Sequence, residues 1–386
     1  MINSKRILHI GTDEKFLNAV EFTYEKAFPG KNLIYITLIN KREPLKHIKD
    51  SDNFIFGDFS EESKDEVTKL LADFDYVILH GLDKFKTDVF FRSAEKEKFV
   101  LSIWGAEIYN NPYVLGTDLF GEKTLKTFKN KYIFNFKKIF RPVYYKLFRN
   151  SLDNFNGQLK LIKEITLIAG QPPEDFLFLK ERNLANIEAK HFFYSYYPFE
   201  YIFKNNTDLV VSGNNILLGN SASSTNNHLE IFDILSDFNL NTSKVFTPLS
   251  YGDEKYADEI SRVGKQKLNN HFVALRDYMS LSDYNTTVSS CSIVIMNHYR
   301  QQAVGNIMAM LLMGAKVYLD ERNTVYHYLK RIGCYVFSIS RDLKANNIAS
   351  LKPLTEEQKE KNRSIIRKEV SVDNLVSSLI NNLHVG

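Results

Sequence analysis

Short apolar runs rich in β-branched residues alternate with longer helix-patterned segments almost from end to end of this chain, and no other feature constrains its fold as strongly. Strands that alternate with helices run parallel, because a parallel neighbour needs a long crossover and a helix supplies it. Such strands are covered on both faces, so they read as continuous apolar runs. In the first half Arg6 to Ile10, Leu33 to Ile39, Tyr76 to Leu79, Val100 to Ile103 and Glu164 to Ala169 fit that description, with Glu14 to Ala27 as the first helix. In the second half Ile216 to Leu218, Val245 to Pro248, Phe272 to Leu275, Ser292 to Met296 and Lys316 to Leu319 fit it, and His228 to Phe238 reads as a helix. Tyr194 to Asn214, aromatic and then polar, with breaks at Pro198 and Gly213, reads as a linker. Two successive α/β domains are expected, at 1–200 and 214–365, facing across a cleft. The tail from Thr355 to Leu383 reads as helical, and 366–386 is expected as a C-terminal helix with the first domain as its candidate packing partner.

Composition removes the competing classes. An aromatic share of 13% and a net charge of only +4 exclude a disordered chain, and 17 Gly with 9 Pro among 386 residues exclude a collagen-like one. Cys291 and Cys334 allow at most one bridge, which points to a reducing compartment. The opening MINSKRILHIG turns polar before a secretory apolar core accumulates, and no run approaches the roughly 18 apolar residues of a membrane span. The expectation is a soluble or peripheral protein of the cytoplasm.

The near-neutral total conceals an asymmetry. Lys123 to Arg149 holds nine Lys or Arg, eight Phe or Tyr and no acid, which leaves 41 basic residues against 46 acidic ones elsewhere. Aromatic rings at an interface and cations on lipid phosphates suit an anionic bilayer. A solvated helix face with core aromatics is the ordinary alternative, and a nucleic-acid patch would look similar by charge. The aromatics exceed what one core stripe needs, so membrane contact through Lys129, Lys131, Lys137, Lys138 and Arg141 is favoured and no nucleic-acid partner is expected.

In open α/β sheets ligands bind beyond the carboxyl ends of the strands, so the residues just after each strand carry the chemistry. GNSASSTNNH, Gly219 to His228, permits close backbone approach ahead of a helix start that offers free N–H groups to an anion. It lacks both a Walker ending and a dinucleotide fingerprint, and Ser, Thr and Asn are also ordinary helix caps. NHYRQQAVGN, Asn297 to Asn306, places Arg300 and Gly305 before a wholly apolar helix, a setting suited to a diphosphate, although a solvated loop is the plainer reading. Asp13, His80 and Glu107 each follow a strand of the first half and are candidates to take a proton from a hydroxyl, against the simpler roles of turn, cap or core histidine. Asp73-Phe74-Asp75 has the DxD form of metal-dependent sugar-nucleotide enzymes but precedes its strand, and no His/Cys pair has zinc spacing, so no metal is expected.

HIGTD (His9 to Asp13), His80-Gly81, SIWGAEIY (Ser102 to Tyr109), ILLGNS (Ile216 to Ser221) and RQQAVG (Arg300 to Gly305) together resemble the TDP-N-acetylfucosamine:lipid II N-acetylfucosaminyltransferases, glycosyltransferase family 56, in the family's order over about the first 325 residues. The resemblance implies a GT-B fold of two Rossmann-like domains, the C-terminal one holding the nucleotide sugar and the N-terminal one the acceptor. It implies transfer of 4-acetamido-4,6-dideoxygalactose from TDP to an undecaprenyl-diphosphate-linked saccharide at the cytoplasmic face of the inner membrane; with the poor metal signals of the sequence, a metal-independent reaction without a cofactor is expected. Enterobacterial common antigen is the product such enzymes serve. Carried over by position, Gly219, Asn220, Ser221, Arg300, Gln301, Gln302 and Gly305 fall on the donor side, joined by Tyr251, Asn306 and Asn323 at further strand or helix ends. Asp13, His80, Trp104 and Glu107 fall on the acceptor side. The chain departs from the family pattern at Ala222-Ser223 and at Glu321-Arg322-Asn323. A GT-B-like nucleotide-sugar epimerase and a non-catalytic sugar-nucleotide-binding scaffold at the membrane are the competing readings.

Membrane contact makes a direct prediction. Replacing Lys129, Lys131, Lys137, Lys138 and Arg141 together with Gln is expected to release the protein from sedimenting anionic vesicles; unchanged co-sedimentation would refute the contact.

Overall fold

In the computed structural model, residues 5–41, 44–128, 154–203, 209–347 and 349–383 are described. The candidate membrane residues Lys129, Lys131, Lys137, Lys138 and Arg141 lie outside them. Two compact units divide the chain: the described residues of the first are 5–41, 44–114, 154–203 and 370–383, and those of the second are 115–128 and 209–369 without 348.

The first unit is built on seven parallel strands, β1 (Ile7–Thr12), β2 (Asn32–Leu38), β3 (Phe54–Asp58), β4 (Tyr76–His80), β5 (Phe99–Ser102), β6 (Leu167–Gly170) and β7 (Lys190–Phe193), in the order β3-β2-β1-β4-β5-β6-β7. Strand order reverses between β1 and β4, where Ile7 pairs with Asn32 on one side and Tyr76 on the other. Ligand crevices form at such reversals. Ile7, Leu8, His9 and Ile10 are fully buried, as a strand covered on both faces requires. The C-terminal helix Val372–Leu383 packs against the helix Leu17–Ala27, and its Leu379 and Leu383 join the core cluster of Val20, Tyr24, Ile34 and Ile78.

The second unit has six parallel strands, β8 (Asn215–Leu218), β9 (Val245–Pro248), β10 (Phe272–Leu275), β11 (Cys291–Met296), β12 (Lys316–Leu319) and β13 (Val336–Ser338), ordered β10-β9-β8-β11-β12-β13. Its reversal lies between β8 and β11. Every residue of β11 is buried, and the apolar helix Val304–Met313 is clasped by the helix Glu356–Glu369, which explains why so little of its surface is polar. Gly314 ends that helix in the left-handed region (φ 92°), where a side chain would be strained.

Several expectations need correction. Strands β3, β7 and β13 were not anticipated; all three are sheet edges, where one flank is unpaired and a long apolar run is not required. Glu164 ends the helix Asn154–Glu164, and the strand begins only at Leu167. Tyr194 and Tyr196 are not linker: both are buried in the first unit's core, packed ring to ring at 5.3 Å. The segment 115–128 belongs to the second unit, not to an unbroken 1–200 domain. Thr124 explains this, because its N–H and hydroxyl both bond the Glu230 carboxylate, at 2.9 and 2.7 Å. Among the described residues no helix is long and apolar enough to cross a membrane.

The C-terminal helix supplies core and not merely surface, so Leu379→Ala is expected to destabilise the protein by about 2–5 kcal/mol, read by urea unfolding. A loss below about 1 kcal/mol would show that the helix is dispensable.

Candidate functional site

At the carboxyl edge of β8 the chain makes a sharp turn at Gly219 (φ 70°), and a Cβ there would meet the His228 ring and, at 2.7 Å, Asn226 Oδ1. Only glycine lets these side chains lie directly over the backbone. Asn226 is fully buried and organises the loop: its Oδ1 accepts from the Asn220 N–H (2.9 Å) and from His298 Nε2 (2.8 Å), and its Nδ2 donates to the Ser221 and Ser223 carbonyls (3.1 and 3.0 Å). Asn227, left-handed at φ 49°, donates from Nδ2 to the Leu119 and Asn297 carbonyls (both 3.1 Å) and accepts the Gly121 N–H (2.9 Å), while Asn297 donates back to the Asn227 carbonyl (3.1 Å). Two buried carboxamides thereby join the loop after β8, the loop after β11 and the segment 119–121.

The expected donor residues Asn220, Gln302 and Tyr251 are brought together on this base. Asn220 Oδ1 accepts from Gln302 Nε2 (3.1 Å) and His298 Nε2 (3.1 Å), and its Nδ2 donates to the Tyr251 hydroxyl (3.1 Å). Thr225 donates to Gln302 Oε1 (2.7 Å). Arg300 is half-buried, with Nη1 on the Gln301 carbonyl (3.1 Å), and Gln301 and Ser221 are buried. The helix Val304–Met313 opens after left-handed Ala303 (φ 56°) without a side-chain cap, with Gly305 and the exposed Asn306 in its first turn. An uncapped N-terminus carries partial positive charge and free N–H groups. Asn323 instead serves as a buried cap, its Oδ1 accepting the Val325 N–H at 3.0 Å. Beside it Arg322 pairs with Asp320 (2.8 Å) and lies over the Tyr299 ring, 3.2 Å from its centroid.

Burial keeps His228 and His298 neutral. It pushes His228 down to about 3, with Nδ1 on the Tyr256 hydroxyl at 2.9 Å. Burial, and then the Arg300 charge, hold His298 well below its ordinary value. Sequence reasoning passed over Thr225, Asn226, Asn227, Asn297 and His298, although they sit inside the two strings it singled out. An Asn-Asn-His run, Asn226 to His228, closing the loop that starts at Gly219 was the available signal.

In the first unit Asp13 follows β1, His80 is the last residue of β4 and Glu107 lies just beyond β5, three neighbouring strands. Asp13 accepts backbone N–H groups from Lys46 (2.6 Å), His47 and Ile48 (both 3.1 Å), so it anchors that loop, and it caps no helix because the first helix starts at Leu17. His80 is fully buried, its Nε2 on His9 Nδ1 (3.0 Å) and its Nδ1 on the Tyr196 hydroxyl (2.9 Å), which continues to Ser102 Oγ at 2.5 Å. Burial lowers His9 to about 4 and His80 well below its ordinary value. Trp104 stands edge-on to Tyr196 at 5.6 Å and covers Gly81. Glu107 is buried, and Oε1 accepts the N–H groups of Trp104 (2.7 Å) and Gly105 (3.3 Å). Burial raises its pKa against the opposing pull of those bonds and of Lys86. Among the described residues no group of three or more His, Cys, Asp or Glu is placed to hold a metal ion.

Comparison with known proteins agrees with this layout. The family described as 4-alpha-L-fucosyltransferase, glycosyl transferase group 56, matches residues 169–362, half of the chain. No curated protein matches in sequence. Among solved structures, Anabaena HepE in complex with UDP and glucose is 10% identical, with 98% of this chain and 99% of that one covered at a TM-score of 0.58. Sucrose-phosphate synthase from Thermosynechococcus elongatus is 9% identical over 98% of both chains (0.59), and the N-terminal domain of Candida albicans trehalose-6-phosphate phosphatase is 11% identical over 99% and 97% (0.63). The fold is GT-B. The matched span contains the whole Asn220, Gln302 and Tyr251 group, and begins after Asp13, His80 and Glu107.

Buried neutral histidines set the acid limit of stability. His9 and His228 titrate near 6.5 when unfolded and near 4 and 3 when folded, so the unfolded chain binds more protons and stability is lost as pH falls from about 6.5 toward 4. Unfolding in urea is expected at distinctly lower concentration at pH 4.5 than at pH 7; equal midpoints would contradict neutral burial.

Proposed function

The chain belongs to the 4-alpha-L-fucosyltransferase family, glycosyl transferase group 56, and on that premise we propose that it moves an acetamido-deoxyhexose, 4-acetamido-4,6-dideoxygalactose, from a TDP donor to an undecaprenyl-diphosphate-linked saccharide in the assembly of a bacterial surface polysaccharide like enterobacterial common antigen. It acts without a metal, at the cytoplasmic face of the inner membrane, to which the segment 123–149 binds peripherally.

The observation that carries this reading is the hydrogen-bonded group of Asn220, Gln302 and Tyr251 at the β8/β11 reversal, beside Arg300 and the uncapped helix at Val304. That HepE is bound to UDP in its structure adds support for a nucleoside diphosphate at this kind of site. When the bond from the anomeric carbon to the β-phosphate oxygen breaks, its electron pair leaves with the nucleoside diphosphate. Arg300 and the N–H groups around Gly305 and Asn306 stabilise that charge, Gly219 and Ser221 keep the loop backbone close, Gln301 supports the Arg300 fork, and Asn323 holds the neighbouring loop. The acceptor hydroxyl bonds to the anomeric carbon and gives its proton to Glu107, whose pKa burial raises despite the N–H groups it accepts; His80 is engaged at both nitrogens. Trp104 and His80 shape the acceptor side.

Transfer from TDP-linked sugar to a polyprenyl-diphosphate-linked saccharide tests this. Arg300→Ala and Glu107→Gln are each expected to lower kcat by about 10²–10⁴-fold with folding retained. Near wild-type rates would remove the assigned roles; donor isomerised without acceptor would indicate an epimerase, and binding without turnover a scaffold.

A further inference from the structure

The hydrogen-bond polarity of the second unit's site can be read outward from one atom whose role is not negotiable. The Asn220 backbone N–H donates, so the Asn226 atom facing it at 2.9 Å is the carbonyl oxygen; the two backbone carbonyls on its other terminus require the NH₂ there. His298 Nε2, 2.8 Å from that same oxygen, must therefore carry the proton. Nδ1 of His298 has no hydrogen-bond partner among the described residues, so a proton placed there would be buried and orphaned, which favours the same tautomer. With Nε2 a donor, the Asn220 atom at 3.1 Å is Oδ1, which Gln302 Nε2 also reaches. Asn220 Nδ2 then has to face the Tyr251 hydroxyl, 3.1 Å away, and Tyr251 receives that bond on its oxygen.

We propose that Tyr251 presents an oriented phenolic O–H to a phosphate oxygen of the bound nucleoside diphosphate, and that His298, through Asn220, is the positioning residue that sets this direction. The inference rests on the donor site argued above. A phenol O–H prefers the plane of its ring, so with the Asn220 donor on one side of the oxygen the proton takes the side turned away from Asn220. Tyr251 is 59% exposed and its hydroxyl makes no other hydrogen bond within the described residues, so the proton is free for a ligand. An anionic oxygen is the acceptor such a fixed donor favours, and it lies on the same strand edge as the cationic groups that attract a diphosphate. The relay is preorganised by the backbone, so the donor does not have to reorient it on binding.

Titration of the full-length protein with TDP, and with UDP as a second probe, tests the relay. Tyr251→Phe is expected to bind TDP about tenfold more weakly with an unchanged melting temperature. His298→Leu is expected to show the same loss, His298→Gln, which keeps an N–H donor, to recover most of it, and the double variant Tyr251→Phe/His298→Leu to be no weaker than either single one. Wild-type affinity in Tyr251→Phe, or additive losses in the double variant, would overturn the relay while leaving the donor site standing. A wild-type protein that binds neither diphosphate would remove the donor site itself and the relay with it. Should His298→Leu fail to fold, Tyr251→Phe and His298→Gln still decide between these outcomes.

Discussion

The reciprocal bond between Asn227 and Asn297 holds the second unit's site together. Each donates its side-chain NH₂ to the other's backbone carbonyl at 3.1 Å, fully or nearly out of water, and Asn227 reaches further to Leu119 and Gly121. Loops beyond parallel strands have no ladder to satisfy their own backbone groups, and a buried unpaired carbonyl or N–H costs about 1–3 kcal/mol. The carboxamides answer that need for three segments at once. The Asn226, His298 and Asn220 connections depend on the register this bond imposes, as does the docking of 115–128 onto the helix His228–Ser236 through Glu230.

The first unit uses imidazoles where the second uses carboxamides. His9 and His80 stack at 5.2 Å inside the sheet and pass through Tyr196 to Ser102. Both rings bury apolar surface while their nitrogens satisfy each other, so the price of enclosing them is kept low only in the neutral state. In both units the polar groups lie at or just behind carboxyl ends of central strands. A sheet covered on both faces leaves function nowhere else to stand.

How much of this could be read from the chain depended on how local its cause was. The central strands were legible because burial on both faces writes a continuous apolar run, as in Ile7 to Ile10 and Cys291 to Met296. The edge strands Phe54–Asp58, Lys190–Phe193 and Val336–Ser338 were not, since one unpaired flank relaxes that pattern. Asn220, Gln302 and Tyr251 were singled out and do meet, whereas Asn226 and His298, which orient them, looked like ordinary cap and loop residues. Asp13 shows the opposite limit: nothing in the sequence around it announces that its carboxylate anchors the backbone of Lys46, His47 and Ile48.

The sequence by itself determined the class of fold, the alternation of strand and helix, and the two polar strings that follow β8 and β11, because periodicity, glycine and charge act over a few neighbouring residues. Tertiary structure alone decided that Tyr194 and Tyr196 are core, that 115–128 joins the second unit, that Asn323 caps a helix, and which way each hydrogen bond around Asn220 points. Those outcomes depend on groups far apart along the chain, such as Asn220 and His298 or Thr124 and Glu230, whose meeting no local pattern encodes.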